Sequence, residues 1–310
     1  MAGKILVIRG GAIGDFILTL PAIRLIREAF PANHLEILGY RHIVEVAECR
    51  FYADAVRSIE YGPLAGFFHP SADLHPELVE YFASFNQVIS YLFDPDEIFA
   101  ENLRKAGVKN LLVGPGKLDD TAHAAAQLAA PLTQLGLFLD DFGAKLFPSA
   151  EDFTQLEHRL RASSLDAIVM HPGSGSEKKN WPLEKWTELI VSLRKADPAR
   201  ALVLVGGEAD KVRLDALRQT FGDSLSVIDS APLPVLAALF SRCAGFVGHD
   251  SGISHIAAAS GARCVLMFGP TDPHVWAPQN RDVQWIQSPS GVMDDIALES
   301  VLAVVDTWRS

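Results

Sequence analysis

The chain has 310 residues, of which 49% are hydrophobic and 21% are charged, a composition typical of globular protein and sufficient for two domains. The formal net charge of −11 at pH 7 argues against nonspecific binding of nucleic acid, and the longest apolar stretches are shorter than a membrane span requires. The three cysteines, Cys49, Cys243 and Cys264, form no CxxC pair and lie among apolar residues. We therefore expect them to be reduced thiols in the core of a cytoplasmic protein.

Strand-like and helix-like segments alternate from the start of the chain. Residues 1–4 lead directly into an apolar run at 4–9, so the sequence predicts a buried parallel strand and no signal peptide. A glycine-rich turn at 10–14 and apolar residues at helical spacing over 15–30 follow, which favours a β-loop-α-β start. Further elements of this half are predicted at 35–40, 87–92 and 110–113 (strands) and at 95–106 and 121–135 (helices). Residues 61–84, with three prolines and many aromatics, are predicted to be an irregular excursion of the first domain.

The alternation restarts after residues 142–153, which are predicted to link two domains. Strands are predicted beyond this linker at 166–171, 201–205, 225–228, 245–248 and 263–267. Helices are predicted at 182–195, 209–221, 233–242, 252–260 and 296–308. We therefore expect an α/β fold with two doubly wound parallel sheets: a first domain at 1–150, a second at 151–295, and a C-terminal helix at 296–310 that packs back on the first domain.

The turn after the first strand presents the carboxylate of Asp15. It lacks the G-x-G-x-x-G order of a dinucleotide fingerprint and the Lys-Ser/Thr of a P-loop, which argues against an NAD oxidoreductase and a P-loop nucleotide. Asp15 either faces a cleft between the domains or caps the helix that follows, and its position alone favours the cap.

The loop at 171–182 is a second candidate site, because it joins a strand end to a helix through serines, glycines and two lysines. Ser174 and Ser176 can donate hydrogen bonds to phosphate oxygens, and Lys178 or Lys179 can neutralise them. The alternative is a solvated loop with ordinary surface lysines, and we favour phosphate binding.

The segment 248–255 also joins a strand end to a helix start, where free N–H groups form an anion site. The amides at 251–253 are placed to bind a pyrophosphate, and Asp250 either holds the loop or binds a sugar hydroxyl. The alternative is an ordinary helix cap. His249 and His255 lack a matching ligand set, so no metal site is expected.

Three segments match one known family in order and spacing: IRGGAIGDFILTLPAIRLIREAFP, HPGSGSEKKNWPLEKW and GHDSGISHIAAASGARCVLMFGPTDPHVWAP. Together they resemble glycosyltransferase family 9, the ADP-heptose:lipopolysaccharide heptosyltransferases, from residue 5 to about residue 278. The resemblance implies the GT-B architecture, in which two Rossmann-like domains face each other across a cleft. It places the acceptor on the amino domain and the nucleotide-sugar on the carboxyl domain.

The resemblance also implies roles for individual residues in an inverting transfer that needs no metal and no cofactor, the ADP-sugar being a substrate. Asp15 matches the general base, and Lys179 matches the lysine that binds the donor phosphates. The remaining donor-binding positions are Ser174, Ser176, Asp250, Ser251, Gly252 and His255. An acidic residue after the Gly206-Gly207 turn binds the ribose in this family, and both Glu208 and Asp210 fit. The acceptor side is assigned to Gly11, Gly14 and Arg41.

We therefore expect a glycosyltransferase that moves a heptose or related sugar from an ADP-sugar to a lipopolysaccharide-type or other glycan or glycolipid acceptor. It is expected in the cytoplasm, with room for a peripheral contact with the inner membrane and no nucleic-acid partner. The alternatives are a GT-B transferase or epimerase that uses another nucleotide-sugar, such as a UDP-sugar, and a noncatalytic nucleotide-binding protein.

The acceptor side is the less well defined half of this hypothesis. Residues 61–84 lie where the acceptor should approach and match no segment of the family. Residues 1–150 hold 12 Lys and Arg against 18 Asp and Glu, so their overall charge does not favour an anionic acceptor. A positive patch would have to be local, gathered from Arg9, Arg24, Arg27 and Arg41.

Overall fold

The computed structural model describes residues 3–71, 73–160 and 166–309, and the chain divides into two compact units, Met1–Phe142 and Gly143–Ser310. The expectations that involve residues 1, 2 and 310 concern positions outside the described residues. Among the helices described, none combines the length and the apolar character needed to cross a lipid bilayer.

The first unit contains a five-stranded parallel sheet. Its strands are β1 (Lys4–Arg9), β2 (His34–Gly39), β3 (Ala55–Ser58), β4 (Gln87–Ser90) and β5 (Leu111–Val113). They lie in the order β3-β2-β1-β4-β5, and β1 is buried along its whole length after Lys4. The strand order changes direction between β1 and β4, and a crevice at this switch point is where doubly wound sheets bind ligands.

Helices connect these strands and cover the sheet. They are α1 (Ile13–Ala29), α2 (Arg41–Val44), α3 (Pro76–Ala83), α4 (Ile98–Lys105) and α5 (Ala124–Ala129). Short 3-10 turns occupy Glu45–Ala47, Gly62–Phe68 and Ala130–Leu135. The predicted helix at 121–135 is thus an α-helical turn that continues as a 3-10 turn.

Residues 61–84 are more regular than the sequence predicts. They form the 3-10 turn Gly62–Phe68 and the helix α3, and one hydrophobic cluster buries side chains from both and from α4: Leu64, Phe67, Leu78, Phe82 and Phe99. Pro76 stands in the first turn of α3, where the N–H that proline lacks would have no partner within the helix. The segment is therefore a packed crossover between β3 and β4, and the prediction of an irregular excursion is wrong.

The second unit contains a six-stranded parallel sheet. Its strands are β6 (Ile168–Met170), β7 (Leu202–Gly206), β8 (Ser226–Asp229), β9 (Gly245–His249), β10 (Cys264–Phe268) and β11 (Val283–Gln287). They lie in the order β11-β10-β9-β6-β7-β8, which puts the switch point between β6 and β9. The helices are α6 (Ala150–Glu157), α7 (Leu183–Ala196), α8 (Lys211–Phe221), α9 (Leu233–Phe240), α10 (Gly252–Ala259), α11 (Pro273–Trp276) and α12 (Leu298–Asp306). Two doubly wound parallel sheets confirm the expected fold class.

The helix α6 begins inside the segment predicted to be a linker. Ser149 is its N-cap: the Ser149 hydroxyl accepts from the amide of Asp152 (3.3 Å), and the Asp152 carboxylate accepts from the amide of Ser149 (2.7 Å). This reciprocal capping satisfies two backbone donors that a helix start leaves free. The linker prediction is therefore wrong from residue 149 onwards.

The C-terminal helix α12 belongs to the core of the second unit. Val301 and Val305 are buried in the same cluster as residues of α7 and β10, and Trp308 packs so closely on β9 that a Cβ at Gly245 would lie 2.3 Å from its ring. The sequence predicts a separate element here, whereas in the structure the helix completes the hydrophobic core of the carboxyl unit.

The three cysteines differ in exposure. Cys264 in β10 is buried and Cys243 is half-buried, and burial raises the pKa of both thiols. Cys49 is exposed, so the prediction of a core thiol is wrong at that position. All three are free thiols.

Candidate functional site

The carboxyl ends of four strands in the second unit bring together most of the predicted donor-binding residues. His171 follows β6, Gly207 and Glu208 follow β7, Asp250 follows β9, and Thr271 lies in the turn after β10. These strands are neighbours around the switch point between β6 and β9. The arrangement puts polar side chains from distant parts of the sequence at the edge where parallel sheets bind ligands.

The start of α10 provides an anion site at this edge. Ser251 is the N-cap, with an extended backbone and a hydroxyl that accepts from the amide of Ser254 (3.3 Å). Gly252 and Ile253 form the first turn and are partly exposed. The amides of a first helical turn have no intrahelical acceptor, and with the helix dipole they attract an anion.

A lysine lies beside this helix start. The ammonium of Lys179 is 2.6 Å from Oδ2 of Asp250, and the same oxygen accepts a hydrogen bond from the hydroxyl of Thr271 at 2.7 Å. The Asp250 side chain is 9% exposed and that of Lys179 is 30% exposed, so the carboxylate is fixed while the cation remains accessible. By contrast, Lys178 is exposed. The structure therefore separates the two lysines that the sequence left as alternatives.

Ser174 and Ser176 lie in the loop that leads to Lys179. The Ser174 hydroxyl donates to the carbonyl of Ser176 (2.8 Å) and accepts from its amide (3.3 Å). Ser174 thus shapes the loop, and both serines are partly exposed on it.

His249 attaches the same loop to the end of β9. Its Nε2 accepts from the amide of Trp181 (3.0 Å), so Nδ1 carries the proton and donates to the carbonyl of Gly173 (3.2 Å). The ring is fully buried, and burial lowers its pKa to about 3. His249 is therefore a neutral structural residue. No group of three or more side chains suited to hold a metal occurs within residues 3–71, 73–160 and 166–309.

The two acidic residues after β7 have different environments. Asp210 is 7% exposed, and its Oδ2 accepts from the amide of Gly207 (2.9 Å) and lies 3.1 Å from Nε2 of His171. Burial alone would raise the pKa of Asp210, but the hydrogen bonds from His171 and from the Gly207 amide outweigh it and hold the pKa low. Glu208, in contrast, is exposed.

Two further predicted positions of this segment lie in α10. Gly252 is its first residue, and His255, in the same first turn, is 5% exposed. Sequence reasoning did not single out His171 or Thr271, although both lie in the matched segments. Only the folded chain shows that their side chains bond to Asp210 and Asp250.

In the first unit, Asp15 lies at the switch point between β1 and β4. Its Oδ2 accepts from the amide of Ala12 (2.8 Å) at the start of α1, and its Oδ1 is 3.6 Å from the guanidinium of Arg9. The Asp15 side chain is 36% exposed, whereas that of Arg9 is 5% exposed and also donates to the carbonyl of Tyr91. Asp15 does cap the helix, as its position suggested, yet its side chain remains partly exposed.

The glycines before Asp15 leave space for its carboxylate. Gly11 has a φ of +93°, and a Cβ at this position would lie 2.6 Å from Oδ2 of Asp15. A side chain here would be strained and would displace the carboxylate. Gly14 is the second residue of α1.

The four arginines from which a positive patch would have to be gathered are each paired with a carboxylate. The pairs are Arg9 with Asp15, Arg24 with Asp141, Arg27 with Asp54, and Arg41 with Glu48. The Arg41 pair is bidentate, with distances of 2.9 and 2.5 Å, at the start of α2 just after β2. An anionic acceptor would have to compete with these carboxylates.

Sequence comparisons with known proteins find matches over more than half of the chain. Residues 124–303 match the sequence model of glycosyltransferase family 9 (heptosyltransferase). The chain is 24% identical over 189 residues to lipopolysaccharide heptosyltransferase 1 of Escherichia coli O18:K1:H7 (strain RS218 / NMEC). That alignment spans 59% of this chain and 57% of the relative.

Solved structures share the fold over nearly the whole chain. A family 9 glycosyl transferase from Veillonella parvula DSM 2008 superimposes with a TM-score of 0.80 at 19% identity, covering 99% of this chain and 97% of the other. The E. coli heptosyltransferase WaaC with ADP gives a TM-score of 0.73 at 18% identity, covering 98% and 99%. At these identities the likeness establishes the two-domain GT-B fold.

Proposed function

The chain belongs to glycosyltransferase family 9, and from this premise we propose that it transfers a heptose from an ADP-activated donor to a lipopolysaccharide-type acceptor. One observation carries the proposal: the Lys179 ammonium lies 2.6 Å from Asp250, directly before the start of α10. A cation next to free helix amides at a switch point suits a diphosphate. The names of the relatives supply the sugar and the acceptor class.

The donor diphosphate binds, in this proposal, without a metal ion. Lys179, the amides at 251–253 and the dipole of α10 stabilise the negative charge that develops on ADP as it leaves. The carboxylate of Asp250 holds the lysine until the phosphates arrive. We expect transfer to continue at an unchanged rate after treatment with EDTA, and a requirement for an added divalent cation would contradict this part of the proposal.

The ribose of the donor is assigned to Glu208. Its neighbour Asp210 already accepts from Gly207 and His171, which leaves it badly placed to bind two ribose hydroxyls. Glu208 is exposed at the same edge of the sheet, after the end of β7. Carboxylates bind vicinal hydroxyls of a ribose well because both of their oxygens accept hydrogen bonds.

The chemical step is a single in-line displacement that inverts the anomeric carbon. The acceptor hydroxyl oxygen forms a bond to this carbon while the bond to the β-phosphate oxygen breaks, and its electron pair leaves with ADP. The proton of the hydroxyl passes to the carboxylate of Asp15, the general base. The support for Asp15 is its partly exposed carboxylate at the switch point of the first unit, and we assign Gly11, Gly14 and Arg41 to the acceptor side.

The test is a transfer assay with ADP-heptose and a series of truncated lipopolysaccharide acceptors, read by mass spectrometry of the products. An acceptor that gains one heptose supports the proposal, and the anomeric configuration of that product, read by NMR, tests inversion. Transfer that occurs only from a UDP-sugar would show that the donor is a UDP-sugar and not ADP-heptose. Tight ADP binding without transfer to any acceptor would favour a noncatalytic nucleotide-binding protein.

We further propose that the enzyme works at the cytoplasmic face of the membrane that displays its acceptor. The support is the glycolipid nature of that acceptor class, since the sugar core is anchored in a bilayer. Flotation of the protein with liposomes that carry the acceptor, compared with liposomes of the same lipids without it, tests this contact. Equal recovery in both would exclude an acceptor-dependent association.

A further inference from the structure

Three side chains from separate loops of the second unit form a hydrogen-bonded chain behind the proposed phosphate site. Oδ2 of Asp210 lies 3.1 Å from Nε2 of His171, and Nδ1 of His171 lies 3.3 Å from the hydroxyl oxygen of Ser251. His171 is 2% exposed and Asp210 is 7% exposed, whereas Ser251 is partly exposed at the start of α10. This series of hydrogen bonds therefore runs from the protein interior to the start of α10.

The positions of the hydrogen atoms between Asp210, His171 and Ser251 follow from the chemistry of the three side chains. An ionised carboxylate only accepts hydrogen bonds, so Nε2 of His171 carries a proton directed at Asp210. In a neutral ring Nδ1 is then an acceptor, and its donor is the hydroxyl of Ser251. The hydroxyl of Ser254 lies 3.1 Å from that of Ser251, but it donates to the carbonyl of His249 (2.5 Å), so towards Ser251 it can only accept. With a neutral His171, the Ser251 proton therefore points away from the phosphate site.

A bound anion favours the opposite orientation of the Ser251 hydroxyl. If His171 takes a second proton, Nδ1 becomes a donor to the Ser251 oxygen, and the Ser251 hydroxyl can no longer donate to His171. A ligand oxygen then competes with the Ser254 oxygen for the Ser251 proton, and the negative charge of a phosphate favours the ligand. A diphosphate at the start of α10 stabilises both the outward hydroxyl and the positive ring behind it. Without the anion, burial of a positive ring costs free energy.

We propose that His171 is a positioning residue that takes up one proton from solvent when a nucleoside diphosphate binds, and so turns the Ser251 hydroxyl towards the phosphates. This inference rests on the proposed function, because it assumes a diphosphate at the start of α10. The proton adds a positive charge near the leaving group, and it returns to solvent when ADP is released.

Other charged and titratable groups surround the ring of His171. Asp210 supplies a negative charge, and Arg213 of α8, whose guanidinium donates to the carbonyl of Pro172 (2.8 Å), supplies a positive one. His249 at the end of β9 remains neutral, since its pKa is about 3. His255 lies in the first turn of α10, and the Lys179–Asp250 pair directly precedes Ser251. The negative charge of Asp210 offsets the free-energy cost of burying a positively charged His171 ring.

The test uses the full chain with ¹⁵N-labelled histidine, observed by NMR at pH 8 with and without ADP. At this pH the terminal phosphate of ADP, whose pKa is about 6, is fully ionised, so the nucleotide releases no proton when it binds. We expect the His171 signals to show one protonated nitrogen in the free protein and two in the ADP complex. The variant His171→Gln identifies these signals by their absence, and His158→Gln, an exposed position in the same unit, is the matched control.

Calorimetry of ADP binding in two buffers of different ionisation enthalpy gives the number of protons taken up. We expect uptake approaching one proton in the unmodified protein and in His158→Gln, and none in His171→Gln. Where ADP binding takes up one full proton, the Kd for ADP should rise by up to about tenfold for each unit of increase in pH. In His171→Gln the Kd should be nearly independent of pH. Asp210→Asn keeps an acceptor for the Gly207 amide but removes the negative charge, and it should also abolish the uptake.

The outcomes separate this inference from the proposed function. ADP binding and heptose transfer without proton uptake, or uptake that persists in His171→Gln, overturns the role of His171 and leaves the function intact. Proton uptake on ADP binding in a protein that transfers no sugar supports His171 and contradicts the transferase. A chain that binds no ADP overturns both.

Discussion

At the scale of single residues, Asp15 combines a structural contact with a proposed chemical one. Oδ2 accepts from the amide of Ala12, Oδ1 lies 3.6 Å from the guanidinium of Arg9, and the side chain is 36% exposed. The proton of the acceptor hydroxyl should pass to this carboxylate only as the new bond to the sugar forms.

The substitution Asp15→Asn tests this role with little change of shape. An amide oxygen can still accept from Ala12, so we expect a folded protein that binds ADP with unchanged affinity. Turnover should fall by at least about a hundredfold, the usual effect of removing a general base. Steady-state kinetics with ADP-heptose and calorimetry with ADP measure the two quantities. Asp96→Asn, an exposed position in the same unit, is the matched control, and near-native turnover of D15N would remove Asp15 from the role.

Lys179 and Lys178 are adjacent in sequence but differ in environment. Lys179 bonds to Asp250, and Lys178 is exposed. Because a charge-assisted hydrogen bond contributes about 1.5–3 kcal/mol, Lys179→Met should weaken ADP binding by roughly ten- to a hundredfold. Lys178→Met should change it by less than about twofold, as expected for an exposed charge. Calorimetry with ADP measures both, and equal effects of the two substitutions would show that Lys179 does not contact the phosphates.

At the scale of elements, His249 fixes the loop of Ser174 and Lys179 to the end of β9. Its ring bonds to Trp181 and Gly173, and its pKa is about 3 in the folded chain, against about 6.5 for an exposed histidine. Below pH 6.5 the unfolded chain therefore binds a proton that the folded chain does not. The free energy of unfolding should decrease by up to about 1.4 kcal/mol per pH unit between pH 6.5 and 3, and this contribution is constant above 6.5.

Urea unfolding followed by tryptophan fluorescence between pH 4.5 and 7.5 tests this dependence. All five tryptophans lie in the second unit, so the signal reports the unit that contains His249. His249→Gln keeps one donor and one acceptor but does not titrate, and its stability should fall less steeply below pH 6.5. His274→Gln is the control, since that side chain is 74% exposed. Parallel pH profiles for His249→Gln and the unmodified protein would contradict a neutral buried His249.

The sequence predicts the central strands of both sheets and two of the four edge strands, β5 and β8. Strands such as β1 and β9 are buried on both faces, and a continuous apolar run identifies them. The edge strands β3 and β11 are not predicted, because their residues are partly or largely exposed and carry no apolar run. Edge strands gain their stability from pairing with a neighbour that the sequence does not reveal.

Short helices show a similar limit. The start of α6 was available from the sequence as Ser149 followed three residues later by an acidic residue, a capping signal that the nearby Gly143 and Pro148 obscured. In 61–84 the prolines were interpreted as breaks, although Pro76 begins a helix. A proline is favoured in the first turn of a helix as well as after its end, so a proline in the sequence does not by itself decide between the two.

The candidate site was predictable loop by loop but not as a network. The sequence places Lys179 and Asp250 in separate phosphate-binding segments, and it leaves Glu208 and Asp210 as equal candidates. Their difference depends on His171, which is 39 residues from Asp210 in the chain and 3.1 Å from it in space. Side-chain contacts between strand ends depend on strand order, and strand order follows from the whole sheet rather than from any local pattern.

At the scale of the whole molecule, each unit has the components of an independent domain. The second unit contains a six-stranded sheet and a core that gathers side chains from α7, α8 and α12. All residues of the proposed donor site belong to Gly143–Ser310, whereas Asp15 belongs to Met1–Phe142. A core of its own allows a segment of this size to fold alone.

We therefore expect residues 143–310, expressed alone, to fold and to bind ADP within about tenfold of the affinity of the full chain, a difference of at most about 1.4 kcal/mol. Residues 1–142 should fold without binding ADP, and neither part should transfer sugar, because the proposed base and the proposed donor site lie on different units. Circular dichroism, cooperative urea unfolding and calorimetry with ADP are the measurements. The K179M substitution in the isolated second unit is the control for specific binding. If the folded second unit binds no ADP, residues of the first unit contribute to the donor site, and the division of roles between the units is wrong.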